Sequence, residues 1–194
     1  MTSPKTEDLL RIVRSVHPAG IDTEDARYDA SYEAQSLSRI IAAQAQVLRQ
    51  EVVADDELAR LPLATVRMMD QWTRFLTTLE TMLPNDDVVD TTIPGHDPCF
   101  RCHIYPGGVS PDGGGTEILV SLLAPVYTVV GEALPQHVCE LVKRVFEARY
   151  VADTTLRVLV SDLVPRAGNR ALGDAVLGDL LFSPHIAGGW SRVT

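Results

Sequence analysis

Apolar residues recur at helical intervals through the first 84 positions and at strand-like intervals from residue 99 onward. Leu9, Ile12, Val13 and Val16 form one stripe, and Leu37, Ile40, Ile41, Ala45 and Leu48 form a second. Val66, Met69, Trp72, Leu76, Leu79 and Leu83 form a third. Each stripe has the 3.6-residue period of a helix that buries one face, so three amphipathic helices are predicted. Gln44 falls on the same face as Leu37, Ile41 and Leu48 and interrupts the second stripe with a polar side chain. Ser3-Pro4 suits a cap and first turn for the first helix, Pro62 suits the first turn of the third, and Pro84-Asn85 ends it. The polar connection from His17 to about Asp29 leaves the start of the second helix open.

From Pro84 to Pro98 the composition turns to Asp, Thr, Pro and Gly, which predicts a linker or long surface connection over 85–98. Phe100 to Tyr105 then alternates, and Gly107 to Gly115 reads as a glycine-rich loop. Glu117 to Val130 is apolar and β-branched at odd and even positions alike, the pattern of strands buried on both faces. Pro125 splits or bends that stretch, because proline cannot donate to a central ladder. Val138, Leu141, Val142, Val145 and Phe146 give a further helix beginning near Pro135, and Leu156 to Val160 reads as a strand. Ala171 to Phe182, with glycines at 173 and 178, fits helix or strand. The expected fold class is α+β: a helical N-terminal half packed on a small mixed or antiparallel sheet with one or two further helices. The expected organisation is a helical region 1–84, a connection 85–98 and a strand-rich region 99–194, read either as separate units or as one continuous domain.

Composition narrows the class without naming a reaction. The chain has 194 residues, 45% hydrophobic and 22% charged, enough for one substantial core. Its first residues lack a basic segment, an apolar stretch and a small-residue cleavage site, and three cysteines are too few and odd in number for a disulfide framework. A cytoplasmic location is therefore expected. The longest uncharged run, Ile118 to Gly131, contains Pro125 and is shorter than the roughly 20 residues of a spanning helix, so no membrane segment is expected.

Charge changes the picture more. The net charge is −9, and between Glu51 and Asp97 ten acids stand against three arginines. A concentrated negative field repels phosphate backbones and accelerates encounter with basic surfaces, so nucleic acid is disfavoured and a basic protein partner is expected. Asp55, Asp56, Glu57, Asp86, Asp87 and Asp90 are the candidate partner-binding residues. The bland alternative is a solvated face that keeps the protein soluble.

Candidate chemistry concentrates in His96-Asp97-Pro98-Cys99-Phe100-Arg101-Cys102-His103. Cys99-Phe100-Arg101-Cys102-His103 resembles the CxxCH pattern of c-type haem attachment, and with His96 it is similar to half a zinc site. On a strand, however, Phe100, Cys102 and Ile104 point one way while Arg101, His103 and Tyr105 point the other, so Cys102 and His103 diverge. A turn at Asp97-Pro98-Cys99 would be needed to gather His96, Cys99 and Cys102 around zinc, with His137 and Cys139 one helix away. The alternative function is accordingly a zinc enzyme or zinc-stabilised domain built on His96, Cys99, Cys102 and His103. The preferred reading makes Cys102 a small core residue and assigns no cofactor.

The remaining motifs add little. Asp86-Asp87-Val88-Val89-Asp90 resembles the DDxxD of prenyl-diphosphate enzymes over five residues, without the second aspartate-rich partner or the all-helical context. The glycines from 107 to 115 lack the Lys-Ser/Thr and following helix of a phosphate loop, and no GxSxG, HExxH, GxGxxG or calcium-loop motif occurs. Trp190, among glycines, is expected to cap the core or to anchor another chain. In size and acidity the chain resembles bacterial immunity and inhibitor proteins, which implies a non-catalytic module covering a basic target.

Overall fold

Cys99–Tyr105 and Thr116–Ser121 are strands with side chains buried on both faces, and the other elements are arranged to cover those faces. The computed structural model describes residues 3–49, 51, 53–108, 114–168, 170–184 and 190. In chain order the elements are α1 (Thr6–Arg14), α2 (Ala26–Ala30), α3 (Tyr32–Leu48), α4 (Asp55–Leu58), α5 (Leu63–Met82), β1 (Asp87–Asp90), β2 (Cys99–Tyr105), β3 (Thr116–Ser121), β4 (Val126–Gly131), α6 (Gln136–Phe146), β5 (Arg149–Tyr150), α7 (Asp153–Leu156) and α8 (Leu177–Leu181). The strands form one mixed sheet in the order β1-β2-β3-β4-β5. The first four make an antiparallel meander, and α6 carries the chain over to β5, which runs parallel to β4. The fold is therefore α+β, with a helical N-terminal half.

Strand alternation divides the core. Phe100, Cys102, Ile104, Ile118, Val120 and Tyr127 face one side, where Met68, Trp72, Phe75 and Leu79 of α5 and Val138, Leu141, Val142 and Phe146 of α6 cover them. Trp72 stacks on Phe100 at a centroid distance of 4.8 Å, and Phe75 meets Phe146 edge to face at 5.1 Å. Burying a side chain of this size contributes about 1.5–3 kcal/mol, so this aromatic group dominates the adhesion of α5 to the sheet. Cys99, Leu119 and Val126 face the other side and pack against Leu9 and Val13 of α1, Leu156 of α7 and Leu177, Leu180 and Leu181 of α8. Helices thus lie on both faces of the sheet.

Most helix predictions hold, with informative differences. Asp25 accepts from the Arg27 amide and starts α2 as a separate turn, and Ser31 caps α3, so the polar stretch after His17 does not extend the second helix backward. Lys5 and Pro62 occupy the capping positions of α1 and α5, one or two residues from the expected starts. Pro125 lies between β3 and β4, which are two strands as expected.

One stretch gains a strand, and one expected strand is corrected. The stretch 85–98 contains β1, which pairs residue for residue with β2, and the core joins Ile40, Met68 and Trp72 to Phe100 and Ile118, so packing runs straight across the expected connection. Leu156 to Val160 is not a sheet strand: it holds the end of α7 and a single bridge from Leu159 to Val176. Ala171 to Phe182 resolves into that bridge followed by α8. No described helix is long and apolar enough to cross a membrane.

Candidate functional site

The six acidic candidates fall into two trios, one just before α5 and one that starts at its far end and runs back along the helix to Trp72. Asp55, Asp56 and Glu57 form the exposed first turn of α4, just before α5 begins, and Asp56 pairs with Arg60 at 3.6 Å. Asp86 and Asp87 follow the other end, where the chain turns back into β1. Twenty helical residues span about 30 Å, several times the screening length of roughly 8 Å at physiological salt, so α4 and the Asp86 and Asp87 pair act as separate fields, with Asp90 about halfway between them beside Trp72.

The second trio is the more structured. Asp86 accepts from the Gly107 amide at 3.1 Å, linking the start of β1 to the turn after β2. Asp90 accepts from the Trp72 indole at 2.9 Å and, through its other oxygen, from the Thr92 amide at 2.9 Å. Asp87 and Asp90 are exposed, and Val89 between them is 38% exposed, a high value for a valine on a strand. From residue 75 to residue 100 the chain carries no lysine or arginine. This corner of the sheet is therefore anionic, rigidly fastened and edged with apolar surface.

The cysteine and histidine candidates do not converge. Cys99 belongs to the core on the α1 and α8 side of the sheet, and Cys102 belongs to the core on the α5 and α6 side. Burial pushes both thiols up, and nearby carboxylates (Asp97 for Cys99, Asp90 for Cys102) push the same way. His96 is exposed in the loop before β2, and His103 stacks on Tyr105 at 4.1 Å. His103 is held below its ordinary value by desolvation and then by Arg101. His137 is exposed on α6, on the opposite side of the sheet from Cys99. Among the described residues, no three His, Cys, Asp or Glu side chains are grouped as metal ligands.

Buried polar groups that periodicity does not single out hold elements together. Gln44, the break in the α3 stripe, donates to the Cys99 carbonyl and pins α3 to the start of β2. Thr65 donates to the Leu122 carbonyl at 2.7 Å, and Ser121 donates to the Leu181 carbonyl at 2.8 Å. Arg101 and Glu117 form a buried pair at 3.3 Å, and desolvation raises the Glu117 carboxyl although Arg101 pulls it down. A narrow crevice is lined by His17, Asp97 and Asp179 together with the exposed His96 and Arg166. There Asp179 accepts from the Val176 amide at 3.0 Å and pairs with Arg170 at 3.2 Å. His17 faces the Leu180 carbonyl at 3.3 Å, and burial holds its imidazole at about 4. The sequence signal for these roles is a polar residue on an apolar stripe, which is visible for Gln44 but absent for residues in loops.

Trp190 caps the core: it is 3% exposed, donates to the Ser183 carbonyl at 3.0 Å and lies against Phe182. Of the glycine-rich stretch, residues 109–113 lie outside the described residues, as do His185, Gly188 and Gly189 of the terminal segment. No known protein-family model, curated protein or solved structure matches this chain.

Proposed function

We propose that this chain is a non-catalytic acidic binding module, of the inhibitor or immunity kind, that engages a basic protein partner. The observation that carries the reading is the exposed corner of Asp87, Val89 and Asp90 with the half-buried Asp86 beside it, within 26 consecutive residues that lack lysine and arginine. An unbalanced negative field raises the rate of encounter with a cationic surface and sets orientation, while the apolar surface beside it supplies burial once contact is made. The Asp86 and Asp90 carboxylates are held by backbone and indole donors, which lowers the ordering cost of presenting them. The trio on α4 contributes long-range attraction rather than a shared contact surface, given its separation.

The test is capture on the immobilised full chain at low salt, comparing wild type with Asp86→Asn/Asp87→Asn and with a variant that also carries Asp55→Asn, Asp56→Asn and Glu57→Gln. Captured proteins of high isoelectric point, released by salt and reduced by the first variant, are expected. Undiminished capture by the five-site variant rejects the reading.

A further inference from the structure

The hydrogen-bond phase of β1 decides which of its backbone groups are available. The Thr91 amide donates to the Arg101 carbonyl at 2.9 Å, in the register that pairs Asp87 with Tyr105 and Val89 with His103. In an antiparallel ladder the inward-turned residues alternate, so Asp87 and Val89 direct their N–H and C=O groups to β2, while Val88 and Asp90 direct theirs away from the sheet. β1 is the end strand of the sheet order, and among the described residues no backbone group bonds to that outer edge.

We propose that β1 is a docking edge for an extended segment with the pattern basic, apolar, apolar, basic. This rests on the binding-module reading and gives its partner a local sequence. A strand added to this edge gains the N–H and C=O groups of Val88 and Asp90, and its side chains lie beside those of β1 on the same faces. On one face stand Val88, packed against the aromatic core, and Asp90, bonded to Trp72. On the other stand Asp87 and the exposed Val89. Cationic side chains opposite Asp87 and Asp90, with apolar ones opposite Val88 and Val89, match all four positions. Because Asp87-Val88-Val89-Asp90 reads the same in both directions, the match holds for parallel or antiparallel addition. A second copy of this chain is the wrong occupant: in-register parallel pairing sets each aspartate against itself, and antiparallel self-pairing through the outward groups sets the aspartates against residues of a stretch that carries no lysine or arginine. The charge that guards the edge against self-association is the same charge that selects the partner.

The experiment is fluorescence anisotropy with the full chain and a labelled peptide Thr-Lys-Val-Val-Lys-Thr, compared with the reordered Thr-Val-Lys-Lys-Val-Thr, which has the same composition and charge. The matched peptide is expected to bind about tenfold tighter, and to lose about that factor when its edge-facing amides are N-methylated or when the protein carries Val88→Pro. Proline at 88 removes an outward N–H and leaves the bonds to β2, and circular dichroism checks that the variant is folded. N-methylation tests the same contact on unaltered protein. Equal binding of matched, reordered and N-methylated peptides overturns the edge-strand mode while leaving charge attraction intact. No binding of the matched peptide at roughly 1 mM also overturns it, and salt-released capture on the immobilised chain then decides the broader reading separately.

Discussion

The buried indole of Trp72 donates its Nε1–H to the Asp90 carboxylate at 2.9 Å, fastening the middle of α5 to the edge strand of the sheet. Asp90→Ala leaves that N–H without an acceptor inside the core and is expected to cost about 1–3 kcal/mol, whereas Asp90→Asn keeps an acceptor oxygen and costs less than about 1 kcal/mol. Urea denaturation of the two variants separates these values. Equal losses would show that charge, rather than the acceptor, is what α5 requires.

Arg101 and Glu117 face each other from β2 and β3 with little exposure, and the Arg101 Nε also donates to the Thr91 carbonyl at 2.9 Å. Removing one partner strands the other charge in a dry site. Glu117→Leu alone is therefore expected to destabilise by about 3–5 kcal/mol, and adding Arg101→Met restores most of the loss. A double-mutant cycle by denaturant titration measures the coupling.

Cys99 and Cys102 are fully buried with raised thiols, while Cys139 is partly exposed on α6. Thiolate is the reactive species, so a thiol reagent on native protein is expected to label Cys139 rapidly and to reach the other two only on unfolding. Prompt labelling of all three cysteines in native conditions would contradict the two-sided burial of β2.

His17 is buried in the crevice that Asp97, Asp179, His96 and Arg166 also line, and its pKa falls from 6.5 to about 4 on folding. Between those values the unfolded chain binds a proton that the folded chain does not, so stability is complete above pH 6.5 and falls as pH drops towards 4. The loss attributable to this group is about 3 kcal/mol, because each tenfold weakening of proton binding is worth about 1.4 kcal/mol. Asp179 and Glu117, whose carboxyls are raised mainly by burial, act with the opposite sign. The His17 contribution is therefore read as the difference between wild type and His17→Gln, measured by denaturation at pH 7 and pH 4.5. Parallel pH profiles for the two proteins would remove the assignment.

Gly178 in α8 lies under the Trp190 ring, and a Cβ there would approach three ring atoms at 2.6–2.7 Å. A rigid ring cannot yield as a flexible chain end does. Gly178→Ala is expected to displace Trp190, red-shift its fluorescence and lower stability by about 1–3 kcal/mol. An unshifted emission spectrum would show that the ring has room to move.

What the linear order of residues determined is whatever depends on local periodicity. The three long helices of the first half, the split at Pro125, the two-sided burial of β3 and the opposed directions of Phe100 and Arg101 follow from spacing alone, because side-chain direction repeats every 3.6 residues in a helix and every two in a strand. Those same rules direct Cys102 and His103 to opposite faces of β2. Tertiary structure decided what periodicity cannot encode. Four residues of β1 in a proline- and aspartate-rich stretch carry too little pattern to announce a strand, and they became one because β2 offered a free ladder edge. Leu156 to Val160 has the composition of a strand, but it closes α7 and makes a single bridge from Leu159 to Val176 instead of joining the sheet. The acidic candidates are neighbours in composition, yet the length of α5 sets Asp55, Asp56 and Glu57 about 30 Å from Asp86 and Asp87 and leaves only the Asp86, Asp87 and Asp90 trio on or beside the edge strand. Which carboxylates share a surface is a matter of how a rigid helix spans the sheet, a long-range relation that no local repeat records.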